Sequence, residues 1–413
     1  MTYRPITEAD IIATAELQSR AFRTPAERYI TAYREGGRFD WNSARLLESE
    51  DGQPVAALVV FERMVSLHGG EMAAGLIASV AVPPEHRRRG YARALMGGVL
   101  DEMYQARLPL SMLFPFSTAF YRSLGYGLVN LNWYLDIPPS AFPAYSERLA
   151  VRRATPDDEG AIRACHERAR CQPQNNGWPA RTEWEWQNRV WKPEQDVVVY
   201  SNNGTIEGYL IYTLTWNRET STIPAKVIEW VATSEAAWRG LAGFLGALGE
   251  QATVVTYNAA QGNPLLLALR EPYSAGRTAA EFVFYQAARL VSGFMLRVVH
   301  LTSALRARRY PPTLVADVVL RVDDPQLPGN GEPLHVHIEN GAASVAPAVG
   351  GFHRGQPATV ETDIASFSQL FAGFMSGEQA RTLGRLDASP TTCALLTEAF
   401  STSPFYLHQA DWF

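Results

Sequence analysis

The sequence predicts an α/β protein of mixed sheets, in which one unit is followed by a partial copy of itself and then by a different third domain. Three observations carry this. A β-branched run, Ile77 to Val82, stops at Pro83-Pro84 and leads through a basic, glycine-containing turn into an apolar-periodic helix. Short signatures from the first part of the chain recur in order further along. From about Val291 the pattern of apolar residues changes.

Taken in order, Thr7 with Asp10 three residues on has the form of a capping box opening a helix through Phe22. Strands are expected at Val55–Phe61 and Gly75–Val82. The next helix carries Leu95, Val99 and Met103 on one stripe, with Ala92, Met96 and Leu100 beside it, the period of a helix packed on a sheet. Leu108–Phe116 and Tyr126–Ile137 read as further strands, and Pro138-Pro139 closes the unit. The first domain is placed at 1–138.

The copy is placed at 139–290. Arg4-x-x-Thr7-x-x-Asp10 recurs as Arg152-x-x-Thr155-x-x-Asp158, and Asp51-Gly52 recurs as Asn203-Gly204 before a strand at Ile206–Leu214. Arg89-Gly90-Tyr91-Ala92 recurs as Arg239-Gly240-Leu241-Ala242, with Ala237 and Trp238 opposite Arg87 and Arg88. The copy is therefore expected to have a damaged turn that no longer binds what the first one binds.

The third domain is placed at 291–413. A helical stretch to Arg309 ends at Pro311-Pro312, followed by strands at Leu314–Val322, Leu334–Ile338 and Thr359–Asp363 and helices over Ile364–Leu386 and Thr391–Phe400. The last residues, Tyr406 to Phe413, are too apolar for a frayed tail and are expected to dock.

Composition narrows the function. Apolar residues make up 46% and charged residues 19%, as in ordinary globular proteins. A net charge of −5 argues against a general nucleic-acid binder, so the arginine cluster is a local device. No apolar run has the length of a membrane span and no signal peptide is visible, which makes a cytoplasmic setting the expectation. Cys165, Cys171 and Cys393 form neither a disulfide framework nor a zinc pattern.

Two features carry chemistry. In the turn, free backbone N–H groups and the positive end of a helix dipole meet the charges of Arg87, Arg88, Arg89 and Arg93, an arrangement suited to a pyrophosphate. Small residues at Gly90 and Ala92 let the backbone approach it. The bland reading is a solvated basic turn. The second feature, Ser117-Thr-Ala-Phe-Tyr121-Arg-Ser-Leu-Gly-Tyr126-Gly, follows a strand; Tyr121 is a candidate proton donor, with a packed core aromatic as its alternative, and Tyr126 is read as core. His335 and His337 share one face of a strand, with His353 as the nearest further ligand, and are read as surface residues rather than a zinc site. Trp178, Trp184, Trp186 and Trp191 are read as core or subunit interface, and Asp157-Asp158-Glu159 as a helix start.

Arg87-x-x-Gly90-x-Ala92 resembles the acyl-CoA loop of the GCN5-related N-acetyltransferases (GNAT). With Val80-Ala-Val-x-Pro-x-His-Arg-Arg-Arg-Gly, Arg93, Tyr121, Leu296-Arg297 and Phe413, the whole chain resembles the enhanced intracellular survival (Eis) acetyltransferases. That resemblance implies tandem GNAT-like domains, the second degenerate, followed by a sterol carrier protein-like domain. It implies acetyl-CoA as co-substrate, with no metal, held by Val80, Ala81, Val82, Arg88, Arg89, Gly90, Tyr91, Ala92, Arg93, Phe116 and Ser117. It implies Tyr121 as proton donor and the terminal carboxylate of Phe413 as proton acceptor; a hydrophobic plug is the bland alternative for that tail. A hexamer is also implied, as is occasional export. Phe116-Ser117 departs from the family's pattern, and Arg23–Trp41, which should shape the acceptor pocket, shows no clear match.

The expected reaction is direct acetyl transfer in a ternary complex to a primary amine, whether an aminoglycoside, a polyamine or a lysine side chain. An acyl-CoA or lipid-binding sensor without catalysis is the competing reading, and a protein lysine acetyltransferase is a third.

Overall fold

The computed structural model describes residues 1–35, 40–274, 279–281, 284–348 and 358–413. The chain divides into two compact units. One comprises Met1–Val129, Gly293–Ser403 and Phe413; the other comprises Asn130–Ser292 and Pro404–Trp412.

In the first unit, β1 (Thr2–Pro5) leads to helices α1 (Ile11–Phe22) and α2 (Ala26–Glu35), then to β2 (Ala44–Glu48), β3 (Pro54–Leu67) and β4 (Gly70–Ala81). After α3 (Tyr91–Gln105) come β5 (Leu110–Leu113), the short α4 (Thr118–Arg122) and β6 (Gly127–Leu128). The sheet runs β1-β2-β3-β4-β5, then Met295–Val298, then β6. Only the β4–β5 pair is parallel. Helix α3 lays Leu95, Met96, Val99, Leu100 and Met103 against this sheet, as its period predicts.

The strand Met295–Val298 corrects the sequence reading, which placed a helix from Val291 to Arg309. The chain instead forms strands at Arg289–Ser292 and Met295–Val298 and a helix only at Leu301–Ala307. All four residues of the Met295 strand are buried, and a strand buried on both faces shows no alternation to separate it from a buried helix. Its Arg297 is held by Asp324 at 2.8 and 2.9 Å with both side chains shut away from water. Gly125, in the left-handed region at φ +88°, makes room for that guanidinium; a Cβ there would sit 1.6 Å from an Arg297 nitrogen.

A five-stranded sheet completes the first unit, ordered Ala342–Pro347, Leu334–Glu339, Ala316–Asp323, Ala358–Asp363, Leu386–Asp387. The single helix expected over Ile364–Leu386 is two, Ile364–Phe371 and Gly377–Thr382. Gly373 at φ +65° breaks the first, and Ser376 caps the second.

The second unit repeats the first sheet element for element. Its strands are β7 (Leu131–Ile137), β8 (Val151–Arg153), β9 (Asp196–Asn202), β10 (Thr205–Leu214), β11 (Pro224–Ala232) and β12 (Val254–Ala260), with helices α5 (Glu159–Arg170) and α6 (Glu235–Ala247). The order is β8-β9-β10-β11-β12-β7, then Arg289–Ser292, and again only the fourth and fifth strands, β11 and β12, are parallel. Strand β7 therefore belongs here, whereas the sequence reading used it to close the first domain before Pro138. Both copies start on the same device. Arg4 grips Asp10 at 2.7 and 2.9 Å while Asp10 accepts from the Thr7 N–H, and Arg152, Asp158 and Thr155 do the same.

The match of Arg239-Gly240 to Arg89-Gly90 does not survive. In the first copy the segment Val82–Gly90 separates β4 from α3; in the second only Thr233 and Ser234 separate β11 from α6. Arg239 and Gly240 lie inside α6, Gly240 because a Cβ would press within 2.6 Å of the Tyr200 ring. The second copy has not damaged the loop. It lacks it.

Candidate active site

Strands β4 and β5 pair in register from Ala74 with Leu110 to Ile77 with Leu113, and there β5 ends while β4 continues to Ala81. Just past the last pair, Ser79 takes φ +52°, and the register of β4 with β3 shifts between Ala57 and Val59. A residue in that conformation bends the strand away from its neighbour. The splay opens a cleft of about 240 Å³ lined by Phe22, Tyr29, Ile77, Ala78, Ser79, Val80, Phe114, Phe116, Tyr121 and Phe413.

One end of the splay meets the basic turn. Gly90 sits at φ +83° and caps α3 without a side-chain hydrogen bond. The first intrahelical bond runs from the Ala94 N–H to the Gly90 carbonyl, so the N–H groups of Tyr91, Ala92 and Arg93 have no partner among the described residues. Arg88 is itself left-handed at φ +61°. Arg87, Arg88 and Arg89 are exposed, Arg87 reaching back to the Val82 carbonyl at 3.3 Å. Arg93 donates to the Ser123 hydroxyl at 2.6 Å and lies over the Phe120 ring. A Cβ on Gly90 would meet nothing within 4 Å, so open space lies beside it. Free donors, a helix N-terminus, loose guanidinium groups and room fit the diphosphate of an acyl-CoA.

The structure brings Tyr121 and Phe413 to the same cleft. Tyr121 is carried by α4, which Ser117 starts by accepting from the Phe120 N–H at 3.3 Å. Its ring packs edge-on against Phe116, Phe120 and Tyr126 at centroid distances of 5.2, 5.1 and 5.9 Å. Its hydroxyl has no hydrogen-bond partner among the described residues, and burial, with Tyr126 beside it, pushes the phenol well above its usual range. It therefore stays protonated. Tyr126 is the core residue expected of it: its hydroxyl pairs with the Ser111 hydroxyl at 2.7 Å, and Ser111 donates to the Gly75 carbonyl. The Phe413 ring lies 5.4 Å from that of Phe114.

Sequence reasoning missed Phe22, Tyr29 and Phe114. Phe22 ends α1 and Tyr29 faces inward from α2, inside or beside the stretch that showed no family match. The side chain of Phe116, one of the residues expected to hold the cofactor, is 69% exposed and stacks on Phe120.

Of the other sequence features, His335 and His337 do share a face, both against Asp317 of the neighbouring strand; His353 lies outside the described residues. Among the described residues no three His, Cys, Asp or Glu side chains are placed to hold a metal. Trp178 and Trp186 are core, flanking the buried His166. No helix among the described residues is long and apolar enough to cross a membrane.

Comparison with known proteins agrees with this geometry. Models of the acetyltransferase (GNAT) domain match residues 2–129 and again 177–298, and a model of the sterol carrier protein domain matches 301–408. The chain is an N-acetyltransferase of the GNAT class. Two domains of this class, followed by a sterol carrier protein domain, make up the chain. An uncharacterized N-acetyltransferase of Streptomyces griseus is 25% identical over 382 residues, covering 85% of this chain and 84% of its own. In fold, the chain is similar over its whole length to a GCN5-related N-acetyltransferase from Anabaena variabilis (20% identity, TM-score 0.84, all of that chain). It is likewise similar to one from Kribbella flavida (23%, 0.78, 98% of that chain) and to Eis1 from Mycobacterium abscessus (20%, 0.78, all of that chain).

Proposed function

We propose that the first acetyltransferase domain binds acetyl-CoA and transfers the acetyl group directly to a primary amine held in the same cleft. The observation that carries this reading is the β4–β5 splay, with the free N–H groups of α3 at one end and the protonated Tyr121 at the other. The diphosphate would lie against Arg88–Arg93, and the backbone of Val80–Val82, with Phe116 and Ser117, would flank the acyl end. Bound acetyl-CoA supplies an activated thioester carbonyl.

The residues divide the proton work. An ammonium cannot attack, so the acceptor must first lose a proton. The α-carboxylate carried by Phe413 is the proposed acceptor of that proton, directly or through water. An unperturbed terminal carboxylate, at about 3.5, is a weak base, and burial away from water would make it a stronger one. As the new C–N bond forms and the C–S bond breaks, the electron pair goes to sulfur. Tyr121 then donates its proton to the leaving thiolate and is reprotonated from the nitrogen's remaining surplus proton or from solvent. Products balance as amide plus free thiol. No cysteine lines the cleft, which supports direct transfer over an acyl-enzyme.

The sensor reading finds less support. Among the described residues, the cavity lined by Leu305, Val318, Leu320, Val336, Phe367 and Phe400, between the sheet and helices of the sterol carrier protein domain, holds about 20 Å³. That is about the room one water needs, where a small ligand takes several hundred Å³. The reading includes a homohexamer, which sedimentation of the purified chain would check, and a cytoplasmic setting, which fractionation of the cells that make it would check. The reaction itself is tested by mixing the full chain with acetyl-CoA and a panel of primary amines while titrating free thiol. Amine-dependent thiol release is expected; none above buffer with every amine, despite acetyl-CoA binding, would overturn the assignment.

A further inference from the structure

We infer that the sterol carrier protein domain serves the reaction as a platform: its helix Ile364–Phe371 holds α4, and Arg122 is the positioning residue that keeps Tyr121 aimed at the leaving sulfur. The inference rests on the transferase reading and deepens it by naming what holds the proton donor in place. Helix α4 has only five residues, and a helix of one turn does not hold its own geometry in water. No hydrogen bond among the described residues aims the Tyr121 hydroxyl, so its direction follows from ring packing and from where the α4 backbone sits. Arg93 braces one end of α4 through the Ser123 hydroxyl at 2.6 Å.

The second brace comes from the sterol carrier protein domain. Arg122 donates to the Ser366 hydroxyl at 3.1 Å and to the Gln369 side-chain oxygen at 3.4 Å, and it faces Asp363 at 3.5 Å. Asp363 also caps that helix, accepting from the Ser366 N–H at 2.9 Å. The turn after α4 is shaped for the same contact. Gln369 donates to the Leu128 carbonyl at 2.9 Å, and a Cβ on Gly127 would lie 2.6 Å from the Ala365 carbonyl oxygen. Gly127 is thus a glycine because the helix presses on it. All eight residues of the helix are buried, which makes it a firm support.

A half-exposed ion pair such as Arg122 with Asp363 adds little to stability. Its value here is directional. The planar guanidinium fork engages two acceptors and a charge, which fixes the rotation of α4 about its axis. Tyr121 is the adjacent residue, so any rotation that frees Arg122 also swings the phenol. A general acid must stay within hydrogen-bond reach of the atom it protonates, and a misplacement of about 1 Å is enough to cost about 10²-fold in rate.

The test measures thiol release by the full chain with acetyl-CoA and the amine of the panel that reacts fastest. Arg122→Ala should lower kcat about tenfold or more and leave the KM for acetyl-CoA within about twofold of native. Arg122→Lys keeps the charge without the fork, and should regain about threefold of that loss. Asp363→Asn keeps the cap, since asparagine also accepts the Ser366 N–H, and removes the charge opposite Arg122. It should lower kcat about threefold or more, and it carries the test should Arg122→Ala fail to fold. The decisive comparison repeats each change in Tyr121→Phe, where neither should cost more than about twofold further. A general weakening of the fold would lower kcat by the same factor in both backgrounds, and that result overturns the inference. So does a native kcat in Asp363→Asn or in a folded Arg122→Ala. Full turnover in Tyr121→Phe, or no release with any amine, removes the acid or the transferase reading itself, and the inference with it.

Discussion

At the scale of single residues the proposed chemistry turns on a phenol, Tyr121, whose burial favours its protonated form. Burial and Tyr126 raise the Tyr121 phenol above its usual range, so in the proposed reaction its hydroxyl would be protonated when the thiolate leaves. Tyr121→Phe keeps the ring packing and removes the proton; kcat should fall by about 10² or more, the usual weight of general acid catalysis, with the KM for acetyl-CoA within a few-fold of native. The sign of the pH dependence follows. Activity should rise with pH as the acceptor ammonium and base lose protons, and no alkaline fall should appear below about pH 10, the ordinary phenol value. A native profile that drops between pH 8 and 9.5, and is flat in Tyr121→Phe, would show a depressed rather than raised phenol. Arg88 and Arg89 act differently. Replacing both with Ala should raise the KM for acetyl-CoA about tenfold and reduce its salt dependence, since exposed charges act through a screened field.

At the scale of elements, the two copies share a stabilising device and differ in the turn proposed to hold the cofactor. Both keep the Arg–Asp–Thr device ahead of the first helix, but only the first keeps a long turn before its sheet-packed helix. In the second, Ser234 occupies the place of that turn and caps α6 with its own hydroxyl. Ser234→Ala should cost about 1 kcal/mol of stability in denaturant unfolding and nothing in acetyl-CoA affinity. The tail segment within the second unit rests on a buried network: Arg181 bridges Asp411 at 2.6 Å and Glu229 at 2.7 Å, all three nearly inaccessible, and Tyr209 donates to Glu229. Arg181→Met strands two buried carboxylates and should cost about 3–5 kcal/mol. Beside them His408 packs on Trp178, and burial pushes its imidazole down to about 3. An unfolded histidine titrates near 6.5, so the folded chain binds fewer protons below that value. This contribution is whole above pH 6.5 and is lost as pH falls toward 3. Denaturation midpoints should decline across that window, and His408→Asn should flatten part of the decline.

At the scale of the whole molecule, the parts legible in the sequence were those whose signals are local. The basic turn announces itself through Pro83-Pro84, the arginines and Gly90, and α3 through its period; both lie where expected. The capping boxes at Thr7 and Thr155 were readable because each is complete within a few residues. Non-local features were not. Met295–Val298 joins the first sheet from the far end of the chain, and β7 leaves the first domain for the second sheet, exchanges that no periodicity records. Arg239-Gly240 imitated the turn because a glycine needed for contact with Tyr200 looks, in one dimension, like a glycine needed beside a phosphate. The cleft's aromatic lining was half visible for a related reason: Phe116, Tyr121 and Phe413 were named from the sequence, whereas Phe22 and Tyr29 come from α1 and α2 and Phe114 from just past the end of β5. Removing Phe413, or extending the chain beyond it, should cut turnover while leaving acetyl-CoA affinity within a few-fold of native; unchanged turnover would reduce the tail to a plug.

The central claim is that a single acyl-CoA site exists per chain, in the first domain. Titration calorimetry of the native chain with acetyl-CoA tests it most directly. The account predicts one molecule bound per chain, with binding abolished by Gly90→Val, which strains a left-handed backbone and fills the open space beside the helix N-terminus. Two molecules per chain, or full affinity in that variant, would contradict it.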